Sequence, residues 1–175
     1  MLKDKYKSFD VLIEIPRGSR NKYEYDFKLK RIRFDRMLFS SMMYPADYGF
    51  IPQTLALDGD PLDVLVLINE PTFPGCVMEV KPIGVFHMAD DKGPDEKIIC
   101  VPVSDPIWNS LNDLADINPH LLKEIEHFFQ VYKDLEHKIV DVEGWGDLSQ
   151  ALDIIEECTE RFNQLENKPD DLFKI

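Results

Sequence analysis

Three aspartates fall within six residues in Asp58-Gly59-Asp60-Pro61-Leu62-Asp63. Ionised carboxylates this close repel one another, and solvent, protonation or bound cations relieve the repulsion. Hard oxygen donors without His or Cys suit Mg²⁺, Mn²⁺ or Ca²⁺ rather than zinc. A plain reading competes, because Asp-Gly also makes ordinary solvated hairpin turns. A calcium EF-hand loop fails: with Asp58 and Asp60 as first and third ligands, Leu62 falls at the fifth position, Asp63 at the required glycine and Asn69 at the closing Glu.

A second acidic stretch, Asp90-Asp91-Lys92-Gly93-Pro94-Asp95-Glu96-Lys97, again precedes an apolar run, Ile98-Ile99-Cys100-Val101. Alone it reads as a solvated hairpin loop. Two acid clusters at strand edges in one small chain make convergence on a shared site more plausible than either alone. Lys22 and Glu24 project from one side of an alternating strand, where a solvated outer face is the plain alternative. Arg36 shares parity with Ile32 and Phe34, so either the strand has ended or a guanidinium suited to phosphate lies on an inward face. Tyr44 and Tyr48 lie in an aromatic stretch, as core residues or as ligand donors. Tyr132 lies on an apolar helical stripe beside Lys133, and core packing with a solvated neighbour is the plain reading. Acids for several divalent cations, plus Lys, Arg and Tyr for phosphate oxygens, suit phosphoryl transfer. No Gly-x-x-x-x-Gly-Lys, Gly-x-Gly-x-x-Gly, His-Glu-x-x-His or Gly-x-Ser-x-Gly motif is present.

The elements that must position these groups are short. Phe9, Val11, Ile13 and Ile15 alternate with polar residues and with Leu12, and Pro16 ends that strand with Glu14 off its fully apolar face. Tyr23, Tyr25 and Phe27 mark a second strand and Ile32 and Phe34 a third. Tyr44-Pro45-Ala46-Asp47-Tyr48-Gly49-Phe50-Ile51-Pro52 reads as an irregular loop entering a short strand. Val64-Leu65-Val66-Leu67-Ile68 reads as a buried strand with Asp63 at its mouth. Residues 77–86 make a strand interrupted by Pro82 and Gly84. Asn118 caps a helix with Pro119 at its first position and a stripe of Leu121, Leu122, Ile125, Phe128, Phe129, Tyr132 and Leu135. A second helix starts at a Ser149 cap, with Ala151, Leu152, Ile154, Ile155, Cys158, Phe162 and Leu165 on one face. The tail, 167–175, is expected to fray. Residues 1–175 are read as one domain, α+β, with two main C-terminal helices packed against a barrel-like sheet.

The 175 residues carry a net charge of -13, which argues against nucleic acid and anionic membranes as partners. The three cysteines lack paired-ligand spacing, as in a reduced cytosolic protein. Residues 1–6 have no apolar signal segment, and no run is long enough to span a bilayer. The chain is therefore expected to be soluble and cytoplasmic.

Nearly the whole chain closely resembles the soluble inorganic pyrophosphatases of family I, in their bacterial form. The likeness runs through Glu14-Ile15-Pro16, Asn21-Lys22-Tyr23-Glu24-Tyr25-Asp26, Asp35-Arg36, Tyr44-Pro45-Ala46-Asp47-Tyr48-Gly49, Asp58-Gly59-Asp60-Pro61-Leu62-Asp63-Val64-Leu65-Val66, Asp95-Glu96-Lys97, and His127-Phe128-Phe129-Gln130-Val131-Tyr132-Lys133-Asp134-Leu135-Glu136. The Asp-Gly-Asp-Pro-x-Asp signature with its apolar strand is specific to that family. The resemblance implies hydrolysis of pyrophosphate to two orthophosphates by a metal-activated water. It implies several Mg²⁺ per site, replaceable by Mn²⁺ or other divalent cations. Asp58, Asp63 and Asp95 are implied as ligands of the tightest metal, with Asp63 shared by the second. Asp60 is implied as the proton acceptor, Asp90 and Asp95 as ligands of metal arriving with substrate, and Glu14 and Glu24 as acids reached partly through water. Lys22, Arg36, Tyr48, Lys97, Tyr132 and Lys133 match phosphate-holding side chains, and Tyr44 a supporting tyrosine. An OB-like five-stranded β-barrel and a homohexamer are implied as well.

Departures are visible. Phe27-Lys28-Leu29-Lys30-Arg31 lacks the glycine that relatives usually place in this hairpin, and Asp91 stands where the acid is often Glu, its shorter side chain weakening a direct metal role. Residues 110–118 receive no chemistry. Three rivals remain: a barrel that binds ligand or metal without turnover, a nucleic-acid-binding barrel, and an enzyme for nucleotides or longer polyphosphates.

Overall fold

The computed structural model describes residues 7–166, and the readings for residues 1–6 and 167–175 lie outside them. The strands are β1 (Phe9–Ile15), β2 (Asn21–Asp26), β3 (Arg31–Met37), β4 (Asp47–Phe50), β5 (Asp63–Val66), β6 (Val77–Asp90), β7 (Gly93–Pro94), β8 (Lys97–Pro102) and β9 (Asp141–Gly146). β1 pairs antiparallel with β4, β4 with β5, and β5 parallel with β8. β8 then pairs antiparallel with β6, and β6 returns to β1. That ring is the expected five-stranded barrel, which leaves none of its five walls as a bare edge. β7 and β9 extend the far half of β6.

Closure depends on two local features. β6 is continuous through the expected interruption, with a register shift between Pro82 and Gly84 that bends the strand so its first half meets β1 and its second half β9. At Gly49 the backbones of β4 and β1 approach so closely that a Cβ would lie 1.9 Å from the Leu12 carbonyl oxygen, so only glycine fits.

Alternation divides the core in two. Leu65, Ile99 and Val101 join a cluster with Ile125, Phe128 and Phe129, whereas Val64, Val66, Ile98 and Cys100 join Ala151, Ile155 and Cys158. Both faces of β5 and β8 are thus covered, and so their sequences read as continuous apolar runs. The first of those helices, α1 (Pro119–Val131), is capped by the Asn118 side chain as expected. It ends before the anticipated stripe does. Tyr132 is its C-cap, and Leu135 sits 60% exposed in a separate 3-10 turn that closes at left-handed His137 (φ 56°). The second, α2 (Leu148–Asn163), starts at Asp147 rather than at Ser149. Asp147 accepts from Gln150 N at 2.9 Å while Gln150 answers to Asp147 N at 3.1 Å, a reciprocal capping box.

β2 and β3 form a separate two-stranded ribbon. Phe34 is 57% exposed, so the parity it shares with Arg36 marks no inward barrel face. The glycine-free turn is built by other means. Asp26 accepts from Lys28 N (3.0 Å) and Leu29 N (2.9 Å), and Lys30 adopts φ 53°. The ribbon is tied to the barrel where Tyr25 N donates to Glu14 at 2.7 Å and where the rings of Tyr25, Phe27 and Phe50 meet at 5.0–6.1 Å.

Candidate active site

Ribbon, barrel mouth and the end of α1 enclose a cleft of about 290 Å³. Every site residue expected from the sequence lines it except Arg36. β1 carries Glu14, β2 carries Lys22 and Glu24, and β4 carries Tyr48. Asp63 opens β5, Lys97 opens β8 and Asp90 closes β6. Asp63 and Lys97 are register partners in the parallel pair, so strand pairing itself sets a carboxylate beside an ammonium.

The loop bearing Asp58 and Asp60 is held from beneath. Buried Thr54 donates to Ile51 O (2.6 Å) and accepts from Leu62 N (2.9 Å). The last turns of α2 add Cys158 O to Leu55 N (2.9 Å) and the Arg161 guanidinium to Leu55 O (2.5 Å). At the tip Asp58 accepts from Asp60 N at 3.0 Å, and Gly59 takes φ 92°. That turn leaves the Asp60 carboxylate facing the cleft rather than capping the backbone.

At the floor, Lys97 is 1% exposed and bridges two acids, donating to Asp63 at 2.6 Å and to Asp95. Tyr48 donates to the same Asp63 oxygen at 2.5 Å, with its ring propped by Tyr44 at 5.5 Å. Burial raises the Asp63 carboxyl to about 6 despite Lys97 beside it. Burial likewise raises Glu14 to about 8, opposed by the Tyr25 amide. Asp60 is raised by burial and then by the neighbouring Asp58 charge. On the opposite wall Lys133 meets Asp90 at 3.4 Å, and Tyr132 stacks on Phe128 at 5.1 Å. Tyr132 is thus both core and cleft wall.

Arg36 stands apart. Its guanidinium makes a two-pronged pair with Glu136 (3.1 and 2.9 Å) and meets Asp35 at 2.5 Å, and Asp35 in turn meets Lys22 at 3.1 Å. Glu136 received no role from the sequence, since its partner lies 100 residues away and no local spacing signals the pairing. Lys92 was also passed over, though it lines the cleft.

The donor set fits hard divalent cations. It is all carboxylate oxygen, and burial pushes the Asp63 and Glu14 carboxyls up, in keeping with negative charge that a cation would offset. Among the described residues, no three Asp, Glu, His or Cys side chains converge as a ready ligand cluster. Asp63 and Asp95 instead share the Lys97 ammonium.

Glu14 gives a pH signature. Its folded value lies above its ordinary one, so the proton favours the folded state; that contribution is full at low pH and is lost as pH rises through about 8. In EDTA, the thermal midpoint of the wild type is expected to fall more between about pH 5 and about pH 9 than that of Glu14→Gln. Parallel falls by calorimetry would show that Glu14 ionises as freely as in the unfolded chain.

A small closed barrel whose mouth gathers acids and lysines around a cleft of this size suits small phosphate anions held together with divalent cations. A family model described as inorganic pyrophosphatase matches residues 11–163. A curated inorganic pyrophosphatase of Methanosarcina mazei is 62% identical over 154 residues, covering 88% of this chain and 91% of that protein. One from a Synechocystis species is 50% identical over 153 residues, covering 87% and 90%. The crystal structure of inorganic pyrophosphatase from Thermus thermophilus superposes with a TM-score of 0.87 at 46% identity, covering 90% of this chain and 92% of that one. The chain belongs to the inorganic pyrophosphatase family. No helix among the described residues is long and apolar enough to cross a membrane.

Proposed function

We propose that this family member hydrolyses inorganic pyrophosphate to two orthophosphates in the cleft, with Asp60 as the group that orients the attacking water and takes its proton. Divalent cations, Mg²⁺ first, would supply neutralisation of phosphate charge and a lowered pKa for that water. Asp58, Asp63 and Asp95 would hold the tightest ion, with Asp63 shared; Asp90 would serve ions arriving with substrate, and Glu14 and Glu24 would act partly through water. Lys22, Tyr48, Lys97, Tyr132 and Lys133 line the cleft and would grip phosphate oxygens, Tyr44 supporting Tyr48. Arg36 would exchange a Glu136 or Asp35 contact for a phosphate oxygen. Asp60 suits its task because burial and Asp58 raise its proton affinity.

The observation that carries the reading is the cleft floor, where buried Lys97 joins Asp63 and Asp95. Anion ligand and cation ligands are there interleaved within bonding distance, as a metal-pyrophosphate complex demands. The aromatic side of the cleft favours a small substrate. Tyr25, Phe27 and Phe50 pack on one another, leaving no slot for a base between them. With Mg²⁺, kcat/KM for pyrophosphate is expected to exceed that for ATP or tripolyphosphate by at least about a hundredfold. Comparable turnover of ATP would contradict a pyrophosphate-specific site. Assembly as a homohexamer and a cytoplasmic setting belong to the same proposal; exposed Phe34, Met37, Phe39 and Met43, within one short stretch, support self-association.

A further inference from the structure

The cations lining the cleft are mostly spoken for. Lys22 is paired with Glu24 and Asp35, Lys97 with Asp63 and Asp95, and Lys133 with Asp90. Lys92 differs. It lines the same cleft and is exposed, and among the described residues no carboxylate stands within ion-pair distance of its ammonium. Its backbone is fixed nonetheless: Lys92 N donates to Asp90 at 2.9 Å, and the next residue, Gly93 (φ 114°), pairs with Asp90 across the β6–β7 turn. A held backbone with an uncommitted ammonium is the arrangement expected of a group awaiting an anion.

We infer that Lys92 is a further substrate-binding residue, whose ammonium meets the incoming pyrophosphate at the rim of the cleft beside Asp60. The chain carries a net charge of -13, and the mouth is rimmed by Asp58, Asp60 and Glu24. A polyanion approaching that mouth is repelled, and an uncompensated cation at the entrance offsets the repulsion and raises the local substrate concentration. Lys92 is close enough to Asp60 to act against the rise in its proton affinity. The paired lysines already spend ammonium donors on carboxylates, whereas among the described residues none competes with phosphate for Lys92.

The inference rests on the proposed reaction, so turnover and binding are measured together at low ionic strength with Mg²⁺. Lys92→Ala is expected to raise KM for pyrophosphate about 3- to 10-fold and to leave kcat within about twofold. Its kcat/KM should depend less steeply on salt, and Lys92→Arg should restore the wild-type KM. A KM for Lys92→Ala within about twofold of wild type, or a Lys92→Arg as impaired as Lys92→Ala, overturns the inference. Calorimetric titration with pyrophosphate separates the two claims. Wild-type binding that weakens in Lys92→Ala without any turnover would sink the reaction and keep the residue's role; normal turnover with unchanged binding would sink only the role.

Discussion

Asp60→Asn is expected to lower kcat for pyrophosphate by about two to four orders of magnitude while leaving the fold intact. The amide matches the carboxylate in size but cannot take a proton at neutral pH. What shapes the loop does not depend on the carboxylate. Asp60 N is bound by Asp58, Asp60 O accepts from Ala56 N at 2.8 Å, and Thr54 pins Leu62 beneath. The loss should therefore fall on kcat, with the Mg²⁺ dependence of the residual activity close to wild type. A fall of less than about tenfold would move the proton acceptor elsewhere in the cleft.

Asp63→Asn should act differently, because Asp63 is the hub of the floor. It accepts from Lys97 at 2.6 Å and Tyr48 at 2.5 Å and is proposed to serve two cations. Removing its charge leaves the buried Lys97 ammonium with Asp95 alone but also relieves the burial cost that raises the Asp63 carboxyl, so the two opposing effects should hold the stability change to about 2 kcal/mol or less. Cation affinity should fall by at least about 10- to 100-fold. Titration calorimetry with Mg²⁺ reads the second effect and thermal unfolding the first. Wild-type Mg²⁺ affinity in Asp63→Asn would exclude the shared-ligand role.

The barrel was legible where burial is two-sided. Val64 to Val66 and Ile98 to Val101 are apolar without a break because both faces meet core, and short strands of that kind announce themselves. A barrel was expected, but not the strand that closes it, since the return of β6 to β1 depends on a bend at Pro82 and Gly84 whose sequence reads as a break. β9 is hidden in the sequence for a related reason: Gly144 and Gly146 interrupt the alternation of residues 141–146, which become a strand by pairing with β6. The helix caps show competition between near neighbours, in which the reciprocal Asp147–Gln150 box starts the helix two residues before Ser149. At the site, spacing alone revealed two acid clusters. What periodicity suggested for Lys22 and Glu24 was a solvated face, and that ambiguity is physical, because the ribbon's outer face is also a wall of the cleft. Resemblance to the family supplied the grouping. Glu136 stayed invisible to both because its role exists only in the pairing with Arg36.

Phosphate release from pyrophosphate by the purified chain, followed with Mg²⁺ and again after EDTA, tests the central claim most directly. The proposed chemistry predicts rapid release with Mg²⁺, abolished by EDTA and recovered when Mg²⁺ is restored. Folded protein that releases no phosphate with Mg²⁺, Mn²⁺ or Co²⁺, or that releases it equally in EDTA, would contradict it.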